Sequence, residues 1–227
     1  MRPAIAMLEL IFAIVIIGII LMSAPMLIST ATKSGYVAIQ QEAINEAASK
    51  VNMIMGFHWD ENSSDERYID PILQVSNGDT WLDERGTTGR RPGTPEESYR
   101  AFVRSDGFPP NASVTLGNDG NKTDIDDFIE LTHLVLETEP TLIADVVETT
   151  INLNTAISYN TDNLVSGGYN QSSIEYNPFN ASGGTTNIKE ITVTLTSGKY
   201  VEELEKKIIL RAFSCNIGGY KLEERDF

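Results

Sequence analysis

One cysteine, Cys215, and two histidines, His58 and His133, are the whole supply of thiol and imidazole in 227 residues. A lone cysteine closes no internal disulfide, and two histidines far apart in sequence assemble no Cys/His zinc cluster. Positive charge is also scarce: 17 Lys and Arg stand against 32 Asp and Glu, a net charge of −15. That balance argues against a folded domain that grips nucleic acid through its phosphates. With so few groups suited to nucleophile-and-base chemistry, the composition leans away from an enzyme.

What is present is unevenly spread. Leu10 to Ile28 reads LIFAIVIIGIILMSAPMLI, an uncharged run interrupted only by Gly18, Ser23 and Pro25. Counted from Ile5 it makes a helix of about 36 Å, enough to cross a hydrocarbon core of ~30 Å. Arg2, the one charge ahead of it, favours keeping that end cytoplasmic and sending the acidic remainder across. Ser29-Thr30-Ala31 could supply a secretory cleavage site, but the apolar run is too long for an ordinary signal peptide.

Glu9 is out of place in such a segment. A carboxylate at a bilayer centre costs roughly 2.5–3.5 kcal/mol on insertion scales, and less near the interface. Either Glu9 reaches the cytoplasmic headgroups, or it is retained for a partner charge that appears later.

The stretch Ala4-Ile5-Ala6-Met7-Leu8-Glu9, followed by Leu10–Ile20, resembles the N-terminal signature of type IV pilins and type II secretion pseudopilins. The resemblance implies a leader over residues 1–4. A prepilin peptidase would cut it between Ala4 and Ile5 and N-methylate Ile5. Glu9 would become the fifth mature residue and the filament-assembly carboxylate, paired with the new amine of a neighbouring subunit. Gly18 and Pro25 take the family's two helix interruptions. Ala4 stands where the family has glycine, Ile5 where it has phenylalanine, and Pro25 one residue early. The implied partners are the peptidase, other pilin or pseudopilin subunits, an inner-membrane assembly platform and the lipid bilayer. The implied location is the bacterial inner membrane, single-pass with a periplasmic globular domain, and then a pilus or pseudopilus.

Past the apolar half (5–28), residues 29–57 are rich in Ala, Gln, Glu and Lys and read as an amphipathic continuation. Tyr36, Ile39, Ala43, Ala47, Val51 and Ile54 recur at three- and four-residue intervals, and Val37, Ile44, Ala48 and Met55 widen the stripe. Gly35 is a weak point and Gly56 a stop. Residues 58–227 then form the globular domain. Its first part, 58–123, is loop-rich, and Asp124–Leu131 reads as a short helix or turn capped by Thr123 or Asp124. The sheet is expected over about 149–217, in three runs: Ile151–Tyr159, Ile188–Thr196 and Lys207–Cys215. The fold expected is α+β, a long transmembrane and amphipathic helix packed on a C-terminal antiparallel sheet.

Trp59-Asp60-Glu61-Asn62, Asp124-Ile125-Asp126-Asp127-Phe128 and the closing ITVTLTSG and ILRAFSCNIG also resemble minor pilins of the mannose-sensitive haemagglutinin type. Asp119, Asn121, Asp124, Asp126 and Asp127 form an oxygen-rich loop. It reads either as a solvated acidic loop or as a calcium site, without the glycine and glutamate spacing of an EF-hand. No other cofactor is expected. Cys215 reads as a buried small side chain, and both histidines as packing or loop residues. The chain is thus expected to be a structural subunit, a minor pilin or pseudopilin, rather than an enzyme. The alternative is a membrane-anchored periplasmic binding or adhesion protein that never polymerises.

Overall fold

The structure is a computed structural model that describes residues 2–63, 71–83, 110–117, 119–137, 148–169, 171–198 and 204–219. Most of the expected loop-rich stretch, including 84–95 and Phe108-Pro109, lies outside the described residues, as do Met1 and the link after Gly198.

The α+β architecture holds. Helix α1 (Arg2–Ile54) is followed by a short helix α2 (Thr80–Asp83) and strands β1 (Leu131–Glu137), β2 (Glu148–Asn160), β3 (Ile188–Ser197) and β4 (Ile208–Cys215). The strands form one antiparallel sheet in the order β1-β2-β3-β4.

α1 runs without a break through Gly18, Pro25 and Gly35, so the first two interrupt the apolar composition and not the helix. Pro25 has no N–H for the carbonyl of Leu21. Nearby hydroxyls turn back onto the helix, Ser23 Oγ donating to the Ile20 carbonyl at 3.0 Å and Thr30 to that of Met26 at 2.9 Å. Gly56 ends α1. Its N–H and that of Phe57 bond three residues back, to Met53 and Ile54, and close the helix in a tight turn.

The two halves of α1 have different surroundings. Residues 6–34 are exposed throughout, although they are the most apolar of the chain. The helix is long and apolar enough to cross a membrane. The distal half buries one stripe, Ile39, Ala43, Ala47, Val51 and Ile54, against the sheet. Alanines at 43 and 47 let the helix backbone approach Ile151, Leu153, Val193 and Leu195 closely. Burying each large aliphatic side chain contributes about 1.5–3 kcal/mol. Of the residues expected to widen the stripe, Ile44 and Ala48 are half-buried, whereas Val37 and Met55 are exposed.

On β2 and β3 the odd-numbered residues face the helix: Ile151, Leu153, Thr155, Ile157 and Tyr159, then Lys189, Ile191, Val193 and Leu195. Strand β1 extends the sheet beyond the expected 149–217. There Thr132, Leu134 and Leu136 turn inward, but Leu131 and Val135 are exposed apolar residues, which blurs the alternation. Cys215, at the end of β4, is half-buried rather than buried.

Candidate functional site

Ala4 and Ile5 lie in the first turns of α1, and Glu9 follows one turn later on the exposed apolar half. Met7, Leu8, Leu10 and Ile11 around it are all more than half exposed. Among the described residues, Glu9 therefore sits on an exposed apolar surface.

The acidic loop is divided by the fold. Asp119 and Asn121 are exposed, Asp119 Oδ1 accepting the Asn121 amide at 3.1 Å. Asp124, Asp126 and Asp127 are buried. Asp127 accepts the backbone amides of Thr123 (2.8 Å), Asp124 (3.1 Å) and Asp119 (3.3 Å). Burial alone would raise its carboxyl, but these amides hold it below the usual carboxylate range. Asp124 Oδ1 accepts the amides of Asp126 and Asp127 at the start of the 3-10 turn Asp126–Phe128, which is shorter than the expected 124–131 and has Ile125, not Thr123 or Asp124, at its N-cap position. Asp127 thus spends its oxygens on backbone amides, and Asp119 and Asn121 lie outside the buried group.

Asp124 and Asp126 instead meet Asp60, from the turn after α1, their carboxylate oxygens within 4.8 Å of one another. The cation among them belongs to the chain itself. Lys189, wholly buried on β3, donates to Asp126 Oδ1 at 2.6 Å, Asp60 Oδ2 at 3.1 Å and the Trp59 carbonyl at 2.9 Å. An ammonium has three protons, and all three are used. Its Nζ lies 4.7 Å from the Trp59 ring centroid and 5.4 Å from that of Tyr159, and the rings shut out water. Tyr159 donates to the Ser113 carbonyl at 2.6 Å, and burial, reinforced by Asp60 and Asp126, pushes its hydroxyl above the usual tyrosine value.

The remaining oxygens of Asp60 and Asp126 are engaged as well. Asp60 accepts the amides of Asn62 and Ser113 and the Ser113 hydroxyl, and Asp126 Oδ2 accepts the amide of Gly117. The cage thus joins the turn below α1, the loop at 113–117, the 3-10 turn and the sheet. A second polar set links Leu73, Asn216, Asn187 and Asp162. Asn216 pairs with both backbone groups of Leu73 and reaches Asn187, which in turn donates to Asp162 at 2.6 Å.

The sequence reading missed the cage, though one signal pointed to it. Lys189 shares the parity of Ile191, Val193 and Leu195, so the period of two that defines β3 also sends a cation into the core. Asp60 carries no comparable mark, because it comes from a turn whose direction only the tertiary fold decides.

Asp124 makes the cage sensitive to pH. Burial first, then the neighbouring charge of Asp126, push its carboxyl up to about 7; Lys189 pulls the other way, and Asp127 adds a lesser push. An unfolded aspartate titrates near 3.9. Between those values the folded chain holds a proton that the unfolded chain releases. The contribution is fully present below pH ~4 and is lost as pH rises through about 7. Asp124→Asn keeps an Oδ1 for the amides of Asp126 and Asp127 and cannot ionise. Urea midpoints measured at pH 5 and pH 8 should differ less in this variant than in the parent, with the gain at pH 8. An unchanged difference would place the titration elsewhere.

No family model, no curated protein and no solved structure matches this chain.

Proposed function

We propose that the chain is a pilin-like structural subunit, a minor pilin or pseudopilin. It is anchored by α1 with its globular domain in the periplasm, and is assembled into a type IV pilus or a type II secretion pseudopilus. One observation supports this reading above the others. A single helix carries an exposed apolar half with one carboxylate, Glu9, and continues directly into a half that packs on the chain's own sheet. Such a helix suits a subunit stored in a bilayer and later withdrawn into a bundle of like helices. Lipid and a helical bundle both satisfy the apolar surface, whereas a charged residue favours a site where it is paired. On this reading Glu9 fixes the register of docking, because a helix displaced along its neighbour leaves both charges uncompensated.

Processing tests it directly. Expressed with a prepilin peptidase, the chain should begin at Ile5 and carry an N-methyl group, as read by mass spectrometry of the mature terminus. An intact Met1 beside an active peptidase, or a cut near Ala31, would overturn the reading and leave a membrane-anchored binding or adhesion protein.

A further inference from the structure

We infer that Lys189 and Asp126 condense to an intramolecular amide, tying β3 covalently to the 3-10 turn before β1, with Asp60 and Asp124 carrying the protons. The inference stands apart from the filament reading, since it concerns chemistry inside the globular domain.

The geometry brings the reacting amine and carboxyl together. The nucleophile is an amine with no exposed surface, held 2.6 Å from one oxygen of the carboxyl it would attack. Proximity of this kind replaces a bimolecular encounter by an intramolecular one, the largest help an amide condensation can receive. Trp59 and Tyr159 enclose the amine, so the water released is expelled and bulk water is kept from reversing the step.

Two further carboxyls then do what water does in solution. Asp60, 3.1 Å from Nζ, takes a proton from the ammonium and frees its lone pair. Asp124 is buried within 4.8 Å of both other carboxylates and holds a proton near neutrality, which it passes to Asp126. The lone pair adds to Cγ of Asp126, the C–O bond to the protonated oxygen breaks, and the second nitrogen proton leaves with it to complete a water. Asp60's proton restores Asp124. In sum an ammonium and a carboxylate become an amide and one water, with no change of oxidation state and no outside reactant. The bond would span the cage that already holds the base of α1.

Intact-mass measurement of the full chain, purified in detergent and incubated near pH 7, should give a value one water below that of the sequence. The tryptic map is decisive, because no Lys or Arg lies between Lys122 and Lys189. Trypsin should fail to cut after Lys189 and release Thr123–Lys199 as a single peptide one water light, with fragmentation interrupted between Asp126 and Lys189. Lys189→Arg keeps the charge without an attacking amine and should return the full mass. Asp124→Asn, which keeps an acceptor for the amides of Asp126 and Asp127, should slow the mass loss at least tenfold while Trp emission stays native. Full mass in the folded parent after prolonged incubation, or a branch joining Lys189 to the peptide containing Asp60, would overturn the proposal. So would Asp124→Asn condensing at the parental rate.

Discussion

Measured against the freshly folded chain at full mass, in which Lys189 is still an ammonium, replacing Lys189 by methionine should destabilise the globular domain by about 3–5 kcal/mol, the effect of removing one partner from a buried ion pair. Domains of this kind hold only about 5–15 kcal/mol in total, so the variant is expected near the edge of folding at 37 °C. The reason is the charge left behind and not the lost contact. Methionine fills the space of the lysine stem, but Asp60 and Asp126 then face an apolar enclosure as uncompensated carboxylates. Adding Asp126→Asn should recover part of the loss. An asparagine there keeps an oxygen for the Gly117 amide and offers its NH2 where the ammonium stood. Asparagine at Asp60 should recover less, because both of its oxygens already accept bonds from Asn62 and Ser113. Urea unfolding followed by Trp59 emission measures all of these, and the double-mutant cycle isolates the charge contribution from the shape change. A Lys189→Met chain as stable as its parent would show that the carboxylates need no counter-charge.

The parts of this architecture written in local periodicity were legible before any coordinates. Tyr36, Ile39, Ala43, Ala47, Val51 and Ile54 mark a helical stripe. All but the half-buried Tyr36 are buried, because a helix on a sheet has no other way to hide an apolar face. The runs in β2, β3 and β4 were legible for the same reason. Strand β1 was not. At a sheet edge, exposed Leu131 and Val135 cost little, and their presence erases the alternation that identifies a strand. The acidic residues at 119–127 show the opposite failure. A local cluster of oxygens suggests one cation, but the fold turns three carboxylates inward and leaves Asp119 and Asn121 outside. The lysine that meets one of them, Asp126, comes from a strand some sixty residues later in the chain. Proximity in sequence is a poor guide to where buried charges end, because each must be neutralised by whatever the fold brings to it.

Glu9→Ala should abolish filament incorporation while leaving insertion and cleavage intact. Alanine removes a costly charge from an apolar segment, so insertion should be unchanged or slightly better. The Ala4–Ile5 bond and the apolar run that would present it are untouched. Under the proposed function, what is lost is the counter-charge for the amine that cleavage creates. An unpaired ammonium in a helical bundle costs several kcal/mol, and at 1.4 kcal/mol per factor of ten even 3 kcal/mol lowers incorporation about a hundredfold. Glutamine should fall nearer to alanine than to glutamate, since an amide can accept a hydrogen bond from the amine but cannot neutralise it. The quantity to measure is the fraction of subunit in sheared filaments, or restored function when each variant complements a deletion strain. Both substitutions leave Lys189 and its cage untouched, so the globular domain should unfold at the parental midpoint. A loss of incorporation is then attributable to the helix. A subunit that caps a filament has no neighbour on one side and tolerates the change. Parental incorporation of both variants would therefore move the chain to a tip position, and parental behaviour with an uncut N-terminus would leave only an anchored receptor.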